Sequence, residues 1–205
     1  MNSQIHDRFS ANVARVRHLV TIYDAHSGTG QGRRPVNSSD VLRAAVVLLH
    51  AAIEDVLRSL ERRTLPHSSA EILNDVPLIG LQRPTKFFLG DLVAHKGKTI
   101  QTLLDESVEN HLLRSTYNNA EELASVLRRL GADPVRFRTH FEPLEGMMKR
   151  RHQIVHRADR DESPGSGHHV ALSLSRTKVL EWVDSAEAFV QDVFVAIPDI
   201  GGPAP

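Results

Sequence analysis

Apolar residues in this chain recur every three or four positions and rarely every second one, a spacing that commits it to packed helices. Ile5, Phe9, Val13, Val16, Val20 and Tyr23 share one face of a first helix over about residues 3–27. Gly28, Gly30 and Gly32 break the pattern, and Pro35 ends any continuation. Asn37, Ser38, Ser39 and Asp40 offer short side chains that accept from first-turn amides, so they are the candidate N-caps of a second helix. That helix runs to about Arg63 and carries a wide stripe: Val41, Ala45, Leu48, Leu49, Ala52, Ile53, Val56, Leu57 and Leu60. A stripe this wide marks a central helix with neighbours on more than one side.

Further along, Ser69–Leu73 reads as a short helix, and Pro77, Gly80 and Pro84 punctuate a loop. Thr85–Leu130 is helical again, broken at Gly97 and near Asn118 and Asn119, with Ile100, Leu103, Leu104, Val108 and Leu112 on one face. Gly131 stands where a left-handed C-cap is favoured, and Asp133-Pro134 opens the next segment. Pro143 interrupts that segment, so Leu144–Ala158 is expected as a separate helix. Asp159–His169 reads as a polar loop, and Val170, Leu172 and Leu174 as a brief extended piece. Ser175 caps a last helix bearing Val179, Leu180, Val183, Ala186, Phe189, Val190, Val193 and Phe194, with Trp182 in its core or at an interface; Pro198 stops it. The expected class is all-α, a bundle of five to seven helices in one domain over residues 1–197, with a frayed tail at 198–205.

Composition narrows the chemistry. The 205 residues include no cysteine, which removes disulfides, thiolate metal sites and a thiol nucleophile. Lys and Arg total 25, as do Asp and Glu, so the zero net charge argues against a sequence-blind nucleic-acid coat but leaves room for a local basic site. The first twenty residues have no apolar leader, and the longest apolar run, near Ala44–Leu49, is far too short to cross a bilayer. A cytoplasmic protein with no membrane partner is expected.

The densest polar cluster is Lys149-Arg150-Arg151-His152-Gln153-Ile154-Val155-His156-Arg157-Ala158-Asp159-Arg160. On a helix His152 and His156 are neighbours on one face. Arg151 lies five residues before His156, about 140° round the axis, so it must reach round the helix or act beside a second copy of the site. Arg and His at this spacing suit phosphodiester chemistry. A guanidinium fork holds a phosphate and stays charged. An imidazole can take a proton from a 2′-hydroxyl or return one to a leaving 5′-oxygen. The plainer alternative is a solvated basic helix face.

The run Arg151-His152-Gln153-Ile154-Val155-His156 resembles the R-x4-H motif of the HEPN superfamily, and His50–Leu60 (HAAIEDVLRSL) resembles the early helix whose polar residues face that motif. The similarity covers about Ser39–Ile197. The resemblance implies a helical bundle, with helical insertions, that pairs two motifs in one cleft of a homodimer. It implies a metal-independent endoribonuclease acting on RNA, with no cofactor, that leaves 2′,3′-cyclic phosphate and 5′-hydroxyl ends. In that reading Arg151 stabilises the phosphorane and His156 is the acid/base. His152 orients one or the other, Glu54 is the supporting carboxylate with Asp55 as second choice, and Lys149, Arg150, Arg157 and Arg160 hold RNA. The family setting is a toxin or an antiphage or stress-defence effector, controlled in trans by an antitoxin or other regulator. A Tyr often found two residues after the motif His is Ala158 here, so control by modifying it is not expected. The alternative within the family is a non-catalytic module that binds RNA, a nucleotide or a protein.

Other readings are weaker. His152 and His156 have the i, i+4 spacing of helical zinc ligands, and His168-His169 would extend such a set, but arginines crowd the pair and no acid lies between. Gly97-Lys98-Thr99 ends like a phosphate loop, yet position 92 is Leu and no strand precedes it. The glycines at 28, 30 and 32 read as a linker. Glu54 and Asp55 point about 100° apart, so at most one faces a buried site. No aromatic platform for stacking bases is evident.

Overall fold

A computed structural model describes residues 2–26, 36–80, 88–160 and 171–197. Helix α1 (Asn2–His26) is followed by α2 (Val36–Thr64). The chain then runs through a 3-10 turn (Leu65–His67), α3 (Ala70–Leu73) and a second 3-10 stretch (Leu89–His95) to α4 (Ile100–Arg114) and α5 (Ala120–Arg129). A 3-10 turn (Pro134–Phe137) leads into α6 (Arg138–Arg157), and α7 (Arg176–Ala196) completes the described chain. The fold is all-α. Among the described residues the extended backbone amounts to one isolated antiparallel bridge, Arg160 to Ala171. That bridge stands where alternation suggested a short extended piece; Val170 and the pair His168-His169 lie outside the described residues, as do Gly28, Gly30 and Gly32.

The wide stripe of α2 makes it the axis. Leu42, Ala45, Val46, Leu49, Ile53, Val56, Leu57 and Leu60 are all fully buried, and they join residues of α1, α5, α6 and α7 in one core. Helix α1 runs antiparallel to α2, with Arg8 bound to Asp55 (2.6 Å) and Ser59 (2.6 Å). It also runs antiparallel to α7, where Arg17 meets Asp184 (2.9 Å) and Glu187 (2.6 Å), and Asp24 meets Arg176 (2.8 Å). Trp182 is buried in this core, as its place beside the stripe of α7 suggests.

Caps fall where short-range rules put them. Thr99 caps α4 by accepting from the Thr102 amide (3.1 Å), which gives the residue after Gly97-Lys98 a plain structural job. Ser175 caps α7 through the Lys178 amide (3.1 Å), and Asp133 accepts from the Val135 amide (2.9 Å). Gly131 sits at φ 80°, and the amide of Ala132 reaches back to the Leu127 carbonyl (2.8 Å), closing α5 with the left-handed turn that glycine adopts freely.

Two expectations fail here. Helix α2 already begins at Val36, so Asn37, Ser38, Ser39 and Asp40 lie within its first turn rather than before it. Ser39 and Asp40 instead accept from the Arg43 guanidinium (2.6 and 3.0 Å). Pro143 does not divide α6, which is continuous from Arg138 to Arg157. An interior proline costs about 3 kcal/mol. Leu144, Met147 and Met148, all buried just beyond it, contribute about 1.5–3 kcal/mol each and outweigh that cost.

Candidate functional site

The basic cluster occupies the last two turns of α6, and the helix axis sorts its side chains by direction. Ile154 packs on the core and fixes the rotation. Arg151 is half-buried on the side turned toward α2, with its Nε shielded from solvent and without a hydrogen-bond partner. His152 and His156 are exposed, and their rings lie against each other with centroids 4.5 Å apart at 42°. Between them Val155 leaves 48% of its surface open. The turn between Arg151 and His156 is therefore real: one faces the body of the bundle and the other faces outward.

Helix α2 brings His50 and Glu54 to the Arg151 side. His50 is 1% exposed, and its Nε2–H donates to the Tyr117 carbonyl (3.0 Å), which leaves Nδ1 bare. That nitrogen is 3.9 Å from Glu54 Oε2, one helical turn on. Burial is the largest influence on this imidazole and holds its pKa below the usual value. Glu54 and the Tyr117 carbonyl oppose the shift, the Arg151 guanidinium adds to it, and Glu122 opposes it weakly. His50 is thus a neutral ring close to the Glu54 carboxylate and within the field of the Arg151 guanidinium. Sequence reasoning missed it, although one signal was present: a histidine that ends an apolar run on the buried stripe and stands four residues before Glu54.

The adjacent carboxylates part company as helical geometry requires. Glu54 is mostly buried on the His50 side, whereas Asp55 is half-exposed and bound to Arg8 of α1. Of the two supporting candidates, Glu54 is the one that lies beside His50, the ring that feels the Arg151 charge.

The C-terminal end of α6 is held by a buried ionic clamp that the loop reading of Asp159–His169 did not foresee. Ala158 and Asp159 both take left-handed backbone, φ 48° and 54°. The Asp159 amide closes the helix on the Gln153 carbonyl (3.1 Å), and its carbonyl accepts from Leu172 (2.8 Å). Its side chain, 0% exposed, accepts through Oδ2 from Arg43 Nε (2.6 Å) and Arg150 Nη2 (2.8 Å). Arg150 also donates to the carbonyls of Leu172 (2.8 Å) and Ser173 (3.1 Å). The expectation that Arg150 holds RNA is therefore corrected: its guanidinium is inside, tying the helix end to α2 and to the segment before α7. Lys149 remains largely exposed beside Glu145 (2.8 Å), and Arg157 and Arg160 are exposed.

Among the described residues, no three His, Cys, Asp or Glu side chains gather as a metal site requires, and no helix is long and apolar enough to cross a membrane. The family model described as RiboL-PSP-HEPN matches residues 10–198, so the matched region begins within α1 and takes in more of the chain than Ser39–Ile197. No curated protein and no solved structure matches the chain.

Proposed function

The chain belongs to the RiboL-PSP-HEPN family, a branch of the HEPN superfamily, and on that footing we propose that it is a metal-independent endoribonuclease. HEPN domains are often ribonucleases, and they often bind RNA and dimerise. The observation that carries the reading for this chain is the division of labour on α6. An arginine with an unused Nε acts on the buried His50, which lies 3.9 Å from Glu54, and an exposed histidine pair lies one turn further round the same helix.

In the proposed reaction His156 takes the proton of an RNA 2′-hydroxyl. The 2′-oxygen attacks the adjacent phosphorus, the P–O5′ bond breaks, and the leaving 5′-oxygen takes a proton. The ends are a 2′,3′-cyclic phosphate and a 5′-hydroxyl, and Arg151 holds the charge that builds on the phosphoryl oxygens. His152, against the His156 ring, fixes its orientation. Glu54, 3.9 Å from His50, and His50, which feels the Arg151 charge, set the electrostatics on the inner side of the guanidinium, and Lys149, Arg157 and Arg160 supply outward charge for the strand. Because Arg151 and His156 face apart, a homodimer assembles the working cleft, with Arg151 of one copy serving a phosphate handled by His156 of the other. The two copies' His156 side chains then make the two proton transfers, and the open Val155 gives that face an apolar contact. A toxin or defence effector controlled in trans is the setting this activity fits.

Purified protein should cut RNA in excess chelator and leave cyclic-phosphate ends. Arg151→Ala and His156→Ala should each slow cutting by about 10²-fold or more. Activity that vanishes with chelator and returns with a divalent ion sinks the mechanism. Full activity in both folded variants sinks the site.

A further inference from the structure

A cavity of about 740 Å³ opens between the end of α4, one side of α5 and the segment Pro77–Leu78. Its charges are largely spoken for. Arg129 is paired with the wholly buried Glu61 (2.6 Å) and donates to Ser125 (3.0 Å). Glu122 accepts from the Asn118 amide (2.7 Å) and the Asn119 side chain (2.9 Å). Two ionisable groups in the lining are uncommitted among the described residues. Arg114 is exposed and has no partner among the described residues. His111 has its Nε2 shielded from solvent with no hydrogen bond. Burial, reinforced by Arg129 and opposed by Asp75, lowers its pKa and keeps the ring neutral. The two are three residues apart on α4 and so share a face.

Among the described residues, the lining thus offers one unpaired cation, one unsatisfied ring nitrogen and an apolar flank at Leu78. Those features match one nucleotide of a strand: a single phosphodiester charge, a polar base edge and a flat face. The cavity also adjoins the site on α2. Thr116 lines it, while the carbonyl of the next residue, Tyr117, is the one that receives the His50 hydrogen bond; Glu122 lines it too and acts on His50.

We propose that this cavity seats one nucleotide of the RNA strand flanking the scissile phosphate, with its phosphodiester on Arg114 and its base edge on His111. The assignment rests on the ribonuclease reading above, and its test is separable from it, because binding is measured on RNA that cannot be cut. A short, fully 2′-O-methylated RNA lacks the attacking hydroxyl. Its affinity for full-length wild-type protein, Arg114→Ala, Arg114→Lys and His111→Ala is measured by fluorescence anisotropy across a salt series, after thermal melts establish that each variant is folded.

Arg114→Ala should weaken binding about tenfold, as expected for losing a hydrogen bond to a charged group. It should also lower the steepness of the salt dependence by about 0.7, one single-strand phosphate contact. Arg114→Lys should restore part of the affinity and the slope. His111→Ala should weaken binding with the slope unchanged. On cleavable RNA, Arg114→Ala should raise KM and leave kcat in place, whereas Arg151→Ala should lower kcat. Wild-type affinity and slope in Arg114→Ala overturn the proposal. So does an Arg114-dependent affinity for AMP or UMP with RNA binding untouched, which assigns the cavity to a free mononucleotide. Failure of the wild-type protein to cut any RNA overturns the ribonuclease reading but leaves the Arg114-dependent RNA affinity standing.

Discussion

Replacing Asp159 by Ala removes the one anion between two nearly buried guanidinium groups. Arg43 and Arg150 leave only 10% and 13% of their side-chain surface open, and both bond to the same Asp159 oxygen. Breaking a buried pair from one side costs about 3–5 kcal/mol, because the remaining charge is left uncompensated. Two features pull the figure down. Arg43 keeps Ser39, Asp40 and the Leu172 carbonyl, and Arg150 keeps the carbonyls of Leu172 and Ser173. One pushes it up, since alanine at φ 54° lacks the local bonding that lets Asp visit that region, a cost of about 1 kcal/mol. The net expectation is a loss of about 3 kcal/mol, or roughly 6–12 °C in melting temperature for a chain of this length. Asp159→Asn isolates the charge. It keeps an acceptor for both arginines, tolerates the left-handed backbone and places its NH2 where Oδ1 has no partner, so about half the loss should remain. Urea unfolding at neutral pH gives the energies, and amide exchange at residues 153–160 should show the end of α6 opening first. An Asp159→Ala protein within about 1 kcal/mol of wild type would falsify the view that this clamp holds the motif helix.

Acid sensitivity and the carboxylate pair give two further expectations. His50 and His111 both have lowered pKa values, so the unfolded chain binds their protons more readily than the folded one. The stability they contribute is full above the unfolded value of about 6.5 and falls as pH drops toward the folded values, by up to about 1.4 kcal/mol per pH unit for each ring. Urea midpoints from pH 7.5 to 5.5 should decline in wild type and decline less steeply in His50→Gln; equal slopes refute this. Glu54→Gln should lower RNA cleavage at least tenfold, while Asp55→Asn, which loses only an exposed pair with Arg8, should change cleavage little and stability by under about 1 kcal/mol; the reverse order would assign the support to Asp55.

Features governed by neighbours in sequence were legible before the structure. The stripe of α2, the left-handed Gly131 and the Ser175 cap need only a few adjacent residues. The same holds for the i, i+4 contact of His152 with His156. What escaped was decided across the bundle. Pro143 obeys a local rule that the burial of Leu144, Met147 and Met148 overrides. Ser39 and Asp40 look like caps until Arg43 claims them. Asp159 and Arg150 look like loop and surface charge, because nothing nearby in sequence announces that Arg43 will meet them. His50 was hidden by its setting among apolar neighbours, which is also what keeps it neutral.

The clamp at Asp159 joins residues 116 positions apart, and Arg43 reaches further still, to the carbonyl of Leu172. A chain leaving the ribosome N-terminal end first would therefore carry α2 long before the groups that lock the motif helix exist. Closing so large a loop gives nothing back until its last contacts arrive. For the ribonuclease proposed above, this order leaves the motif helix unlocked until Leu172 and Ser173 have followed it out.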